Sequence, residues 1–196
     1  MSGVAEQDLE ALLDVAERAV VLAVRDGIRW VPRVEDHAEA LRAPGAAFVT
    51  LQEDGRLRGC IGTLAAVDPL VVTVADRARA AALADPRFPA VVRQELPHLD
   101  YAVSVLSPME PLPVNGLAEL AAAVRPGVDG LLIHAGHHGA TFLPSVWEEL
   151  PEPRQFLDHL WRKAGLPPGS WPAGMSVSRY TAQYATRAHS HGQGRR

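Results

Sequence analysis

The stretch Ala46-Ala47-Phe48-Val49-Thr50-Leu51-Gln52-Glu53-Asp54-Gly55-Arg56-Leu57-Arg58-Gly59-Cys60-Ile61-Gly62-Thr63 decides the fold of this chain. Its first six residues favour a strand, with an aromatic and β-branched side chains in the middle. Asp54-Gly55 is a strong hairpin signal, because a two-residue turn needs positive φ at both central positions and Gly adopts it at no steric cost. Arg56–Thr63 is then the return strand of an antiparallel pair.

Outward from the hairpin, helices and strands follow one another without a βαβ rhythm. Upstream, Leu9, Leu12, Leu13, Ala16, Val20, Ala23 and Val24 recur at three- and four-residue steps. They predict a helix over Gln7–Asp26 with one apolar face, closed by Gly27 as a left-handed cap. A loop with Pro32 and Pro44 contains a short polar helical stretch near Glu35–Leu41. Downstream, Asp68-Pro69 predicts the start of a second helix, Asp capping the free N–H groups and Pro at the first helical position. That helix runs to about Ala84, is rich in alanine, and ends at Asp85-Pro86-Arg87-Phe88-Pro89. A third helical stretch, Val91–Glu95, leads into an alternating strand over Asp100–Ser107, after which Pro108, Pro111 and Pro113 break the pattern. Leu117–Val124 reads as a short helix. Gly130–Ala135 and Ala140–Leu143 read as strands joined by Gly136-His137-His138-Gly139. Pro153–Ala164 reads as a helix with Phe156, Leu157, Leu160 and Trp161 inward, and Val177–Ala185 as a last strand. Strands paired through short hairpins predict an α+β fold with a largely antiparallel sheet flanked by helices. Residues 1–186 are expected to form a single domain and 187–196 a disordered tail.

Composition narrows the function classes. The chain has 196 residues, 47% hydrophobic and 21% charged, as in ordinary globular proteins. No apolar run approaches the ~20 residues that span a bilayer, so no membrane role is expected. Cys60 is the one cysteine, which excludes an internal disulfide framework and any multi-cysteine metal site. The N-terminus carries acidic residues where a signal peptide would be basic, so the expected location is cytoplasmic. A formal net charge of −4 argues against a general nucleic-acid or anionic-membrane binder. From Pro153 onward there are seven basic residues and one acidic, Asp158. That excess reads as a solvated helix face and a basic tail. There is no phosphate-binding glycine loop, GxSxG elbow or HExxH, and no cofactor is expected.

Cys60 is the first chemical candidate. Alternation along a strand puts Arg58 and Cys60 on one face, ~7 Å apart between Cα atoms. A guanidinium that close favours the anionic, nucleophilic form of the sulfur. Gly59 and Gly62 lack side chains, so a ligand or another backbone can come near. Two readings stay open: a nucleophile or small-anion site, or a small buried apolar side chain with glycines that permit tight packing. His134, His137 and His138 are the only histidine cluster outside the tail. They could join a carboxylate around a metal, but His137 and His138 sit in a Gly-bounded turn where exposed polar residues belong, and no metal site is expected.

Leu57-Arg58-Gly59-Cys60-Ile61-Gly62-Thr63 resembles the signature of the AMMECR-type domain family. Gly45–Leu51, Asp85–Pro89, Ser104–Glu110, Gly130–Ile133, Phe142–Val146 and Phe156–Leu166 agree with it in order, with Trp171 beyond. The resemblance implies an α+β fold with a main antiparallel sheet and a smaller second lobe. It implies a neighbourhood too. Such proteins often belong to a three-part set with a Memo-like protein, which resembles extradiol dioxygenases, and a radical SAM protein, hence the label AmmeMemoRadiSam system protein A. Arg87 and Glu110 match family positions, although Met109 stands where the family usually has Pro. The expected site is therefore Cys60, Arg58 and Glu110 as catalytic residues, with Gly59, Gly62 and Arg87 binding substrate. The expected function is a cysteine-dependent enzyme acting with those partners on a small metabolite or a modified nucleotide or peptide. The alternative is a non-catalytic module that docks a partner protein.

Overall fold

The structure is a computed structural model and describes residues 3–188. In chain order its elements are α1 (Glu6–Asp26), α2 (Glu39–Arg42), β1 (Ala47–Glu53), β2 (Arg56–Gly62), α3 (Leu70–Leu83), β3 (Leu99–Leu106) and β4 (Glu110–Pro111). There follow α4 (Leu117–Ala123), β5 (Gly130–Ala135), β6 (His138–Phe142), α5 (Pro153–Lys163), β7 (Ser176–Tyr180) and β8 (Ala182–Arg187). The strands form two antiparallel four-stranded sheets, ordered β2-β1-β3-β8 and β4-β7-β5-β6. The chain is an α+β protein with two compact units, a larger one built from residues up to Leu106 and from Gln183 on, and a smaller one over Ser107–Ala182. Most of the tail that the sequence predicts, residues 189–196, lies outside the described residues, and Arg187 is the last residue of β8.

In the larger unit β1 is central. Asp54 and Gly55 both have positive φ, 52° and 74°, which is the primed turn that the Asp-Gly pair predicts. Ala47, Val49 and Leu51 are fully buried in one cluster with α1 and α3, while Phe48 and Thr50 alternate to the opposite face. α1 ends as predicted: Gly27 adopts φ 68°, and the N–H groups of Gly27 and Ile28 reach back to Ala23 and Leu22, closing the helix with a left-handed cap. Four alanines of α3, Ala75, Ala78, Ala81 and Ala82, are buried. They let the helix backbone come against β2 itself. A Cβ on Gly59 would lie 2.2 Å from the Ala81 carbonyl oxygen.

The smaller unit has an aromatic core. Phe156 of α5 stacks on Trp147 with centroids 3.8 Å apart and meets Phe142 edge-on at 5.3 Å. Phe156, Leu157, Leu160 and Trp161 are buried, the inward face that the periodicity predicts. Trp147 Nε1 donates to the carbonyl of Asp129 at 2.7 Å, so its polar end is satisfied inside.

Four local expectations change. The second helix begins at Leu70 with Pro69 as its cap, and the Asp68 carbonyl, not its carboxylate, accepts bonds from Gly45 and Thr73. Val91–Glu95 forms turns rather than a helix, followed by a 3-10 turn over Leu96–His98 that holds Pro97. The predicted last strand is two strands: β7 ends at Tyr180 in one sheet, and β8 starts at Ala182 in the other. Thr181 between them is held by Ser107, whose Oγ accepts the Thr181 N–H at 2.9 Å. Finally, a β-bulge interrupts the β1–β2 register between Leu51 and Gln52: Gly59 faces Leu51 and Leu57 faces Gln52, leaving Arg58 without an opposite residue.

Gly59→Ala is expected to lower stability, because the methyl group meets backbone that can yield only if α3 moves. Overpacking of this kind costs about 1–3 kcal/mol, and each kcal/mol lowers Tm by about 2–4 °C at this size. Calorimetry checks it; an unchanged Tm contradicts the close approach.

Candidate functional site

β2 is an edge strand, and Cys60 stands opposite Thr50. An edge strand exposes N–H and C=O groups that invite another strand. At Cys60 both are already taken. The Cys60 N–H donates to Asp85 Oδ2 at 2.8 Å, and Arg87 Nη2 donates to the Cys60 carbonyl at 3.1 Å. Asp85 and Arg87 thus present β2 with the acceptor and donor that a neighbouring strand would supply.

Asp85 follows α3 directly and its side chain is 2% exposed. Its two oxygens accept four bonds: the Cys60 N–H, the Arg87 N–H, Arg87 Nε at 3.0 Å and Arg87 Nη2 at 2.7 Å. A buried carboxylate survives only when paired and hydrogen-bonded in this way. The Arg87 guanidinium holds the Asp85 carboxyl well below the usual carboxylate range, and the two backbone N–H groups reinforce it against burial. Arg87 in turn binds its proton more tightly than usual. Its hydrogen bond to Asp85 is the main cause, with a smaller contribution from Cys60.

The Cys60 side chain is half-buried. Thr50 Oγ1 donates to its sulfur at 3.2 Å. The sulfur thus has a hydroxyl donor from the neighbouring strand, while the guanidinium that Asp85 orients holds the carbonyl of the same residue.

Arg58 is held elsewhere. The bulge interrupts the alternation that would align it with Cys60, and its guanidinium grips Glu95 in a two-pronged pair, Nε to Oε1 at 2.6 Å and Nη2 to Oε2 at 3.0 Å. Nη1 donates to the Pro89 carbonyl at 2.9 Å. With only 11% of its side chain exposed, Arg58 ties the segment after α3 to β2. The two glycines are closely faced by this chain's own atoms, Gly59 by the Ala81 carbonyl and Gly62 by the Phe48 ring, to which a Cβ would come within 2.1 Å. Glu110 belongs to the smaller unit, where it is exposed and pairs across β4–β7 with Arg179 at 3.3 Å. Such an exposed pair contributes at most about 1 kcal/mol.

The structure brings together Cys60 and Arg87, and with them Thr50 and Asp85, which the sequence reading did not single out. The signal for Asp85 was present in Asp85-Pro86-Arg87: an Asp two residues before an Arg can accept that residue's backbone N–H as well as its side chain. Nothing local marked Thr50, which matters because of strand register. Among the described residues, no group of three His, Cys, Asp or Glu side chains is arranged to hold a metal ion. The His138 ring instead bonds the Ala164 carbonyl at 2.9 Å. Among the same residues, no helix is long and apolar enough to cross a membrane.

Fold and site together define an α+β protein with a half-buried thiol on an edge strand clamped by an Asp–Arg pair. The AMMECR1 family model matches residues 13–185, and the chain belongs to that family. A protein of Methanothermobacter thermautotrophicus is 39% identical over 158 residues, covering 80% of this chain and 82% of its own. One from Aeropyrum pernix is 42% identical over 171 residues, 85% of this chain and 72% of its own. The crystal structure of protein PH0010 from Pyrococcus horikoshii is similar with a TM-score of 0.86 at 30% identity, covering 94% of this chain and 98% of that one.

Asp85→Asn is expected to destabilise the protein at neutral pH by about 1.5–3 kcal/mol, the scale of a hydrogen bond to a charged group. The sign with pH follows from the lowered carboxyl. Stabilisation by ionised Asp85 is complete above the unfolded carboxyl value near 4 and is lost as pH falls below it through the folded value. Urea unfolding of both proteins at pH 7 and pH 3 should show the gap between them narrowing in acid. A constant gap would mean that the charge of Asp85 contributes nothing.

Proposed function

We propose that this chain is a cytoplasmic, cysteine-dependent protein of the AmmeMemoRadiSam type. It acts on a small metabolite or a modified nucleotide or peptide beside Memo-like and radical SAM partners. The observation that carries the reading is the surroundings of Cys60: its sulfur is half-buried and accepts the Thr50 hydroxyl, and the Arg87 guanidinium is held on the carbonyl of the same residue. A hydroxyl donor and a cation are the groups that solvate an anionic sulfur and the charge it generates in a substrate.

The step that suits these groups is addition. The sulfur lone pair forms a bond to an electrophilic carbonyl carbon, the C=O π pair moves onto oxygen, and the thiol proton goes to solvent. Arg87 then faces the new oxyanion, and reversal of the step releases the substrate. Cys60 in this reading is a covalent holder, Arg87 steadies negative charge, Asp85 positions both, and Arg58 positions the strand through Glu95.

A second reading has its own support. Arg58 is fully engaged, and both glycines are packed against this chain's own atoms. These features suit a module that docks a partner protein and leaves Cys60 as packing.

Iodoacetamide separates the two. At pH 7 the folded protein should be alkylated at Cys60 faster than the urea-unfolded chain, and Arg87→Gln or Thr50→Val should slow the reaction several-fold. A thiol that reacts only after denaturation overturns the first reading. So does full activity of the reconstituted three-protein system with Cys60→Ala.

A further inference from the structure

A groove of about 390 Å³ lies in the larger unit, between α1 and the loop that follows it. Ala11, Asp14, Val15 and Arg18 form one wall, at steps of three and four that place them on one stripe of the helix. Trp30, Arg33 and Asp36 belong to the other wall. The volume is within the range that takes a small molecule. The groove is open to solvent, with the Asp14 side chain 72% exposed at its edge.

Asp14 and Arg18 are four residues apart on α1, a spacing at which Asp and Arg ordinarily pair. Here each is engaged elsewhere. Asp14 Oδ1 accepts Arg187 Nη1 at 2.7 Å, and the Arg18 guanidinium lies over the Trp30 ring with its Cζ 4.6 Å from the centroid. Stacking uses the face of a guanidinium and leaves the N–H donors at its edge. Among the described residues no carboxylate pairs with Arg18. Asp36 is also incompletely bonded. Its carboxylate stands 3.8 Å from Arg33 Nε, which donates to Glu35 at 3.1 Å. The groove therefore offers an open cation and open anions beside an apolar strip of Ala11, Val15 and the Trp30 ring. Its surroundings are acidic, since Glu10 and Glu17 share Arg187 with Asp14. That field opposes a plain anion and leaves a ligand of zero net charge unopposed.

We propose that this groove binds a free α-amino acid with an apolar side chain. The ligand carboxylate takes the edge N–H donors of Arg18 in a two-pronged pair. The ammonium donates to the second oxygen of Asp14 and, across the groove, to Asp36. The ligand side chain lies on Val15 and Trp30. One carbon joins the carboxylate and ammonium of an α-amino acid, which suits partners that are one helical turn apart. Trp30 holds Arg18 in place before the ligand arrives, so less side-chain freedom is lost on binding. Cys60 takes no part, and the site stands or falls separately from the thiol chemistry.

The probes are L-leucine, L-leucinamide, N-acetyl-L-leucine and glycine, measured by calorimetry on the full chain, with the indole N–H signals followed by NMR. Trp30 is the one tryptophan of the larger unit, and Trp147, Trp161 and Trp171 belong to the smaller. Leucine should bind saturably and shift the Trp30 signal while the other three stay in place. Leucinamide lacks the carboxylate and N-acetyl-leucine the ammonium, and each should bind at least tenfold more weakly, as should glycine. Arg18→Gln and Asp14→Asn should each weaken leucine tenfold or more. Both side chains are exposed, and Arg187 keeps Glu10 and Glu17 when Asp14 is changed, so Tm should move little. Arg25→Gln, further along α1 and paired with Asp26, should change nothing. No saturable leucine binding, equal binding of either derivative, undiminished binding by either variant, or binding without movement of the Trp30 signal overturns the site. Glycine binding as tightly as leucine overturns the placement of the ligand side chain on Val15 and Trp30.

Discussion

The buried carboxylate of Asp85 is the constraint on which the larger unit's site depends. It accepts the free N–H of an edge strand and, with the same two oxygens, fixes the arginine that donates to that residue's carbonyl. Without it, β2 would present an open donor and acceptor at Cys60, and Arg87 would be an unanchored surface side chain. One charge therefore protects a sheet edge and orients a guanidinium onto the carbonyl of the cysteine. The clamp needs a close partner in sequence and a distant one in space, which is why it sits directly after a helix that crosses β2.

The smaller unit uses the same device. Asp129 is fully buried, accepts the N–H of Arg125 at 2.9 Å, and pairs with the Arg125 guanidinium at 2.6 Å. In both cases the carboxylate is sealed while roughly half of the arginine side chain stays exposed, 53% for Arg125 and 54% for Arg87. Burying both ions would cost several kcal/mol for each. Leaving the guanidinium wet confines most of that cost to the carboxylate, and a backbone N–H helps to offset it. The carbonyl of Asp129 then receives Trp147, so the aromatic stack rests on one such clamp as β2 rests on the other.

What could be read from the sequence was local. The Asp-Gly turn, the left-handed cap at Gly27 and the inward face of α5 depend on residues a few positions apart, and each appears as the sequence predicts. The alternation rule failed at Arg58 because a bulge is set by the partner strand, and a single inserted residue redirects the guanidinium to Glu95. The motif Asp85-Pro86-Arg87-Phe88-Pro89 reads as a helix stop, which it is, but its second role requires knowing which strand passes beside it. Glu110 could be matched to a family position, while its membership of the other unit is a property of topology alone.

The groups around Cys60 narrow the chemistry that a thiol there could perform. A cysteine that hydrolyses its substrate normally needs a base to move protons through two transition states, and histidine is the usual one. Among the described residues no histidine hydrogen-bonds Cys60; a hydroxyl donates to its sulfur and a permanently charged guanidinium to its carbonyl. Arginine stabilises charge but does not exchange protons at neutral pH. Groups of that kind favour reversible capture over turnover by hydrolysis. The proposed role of Cys60 as a holder is supported by this pairing, which stabilises charge without exchanging protons.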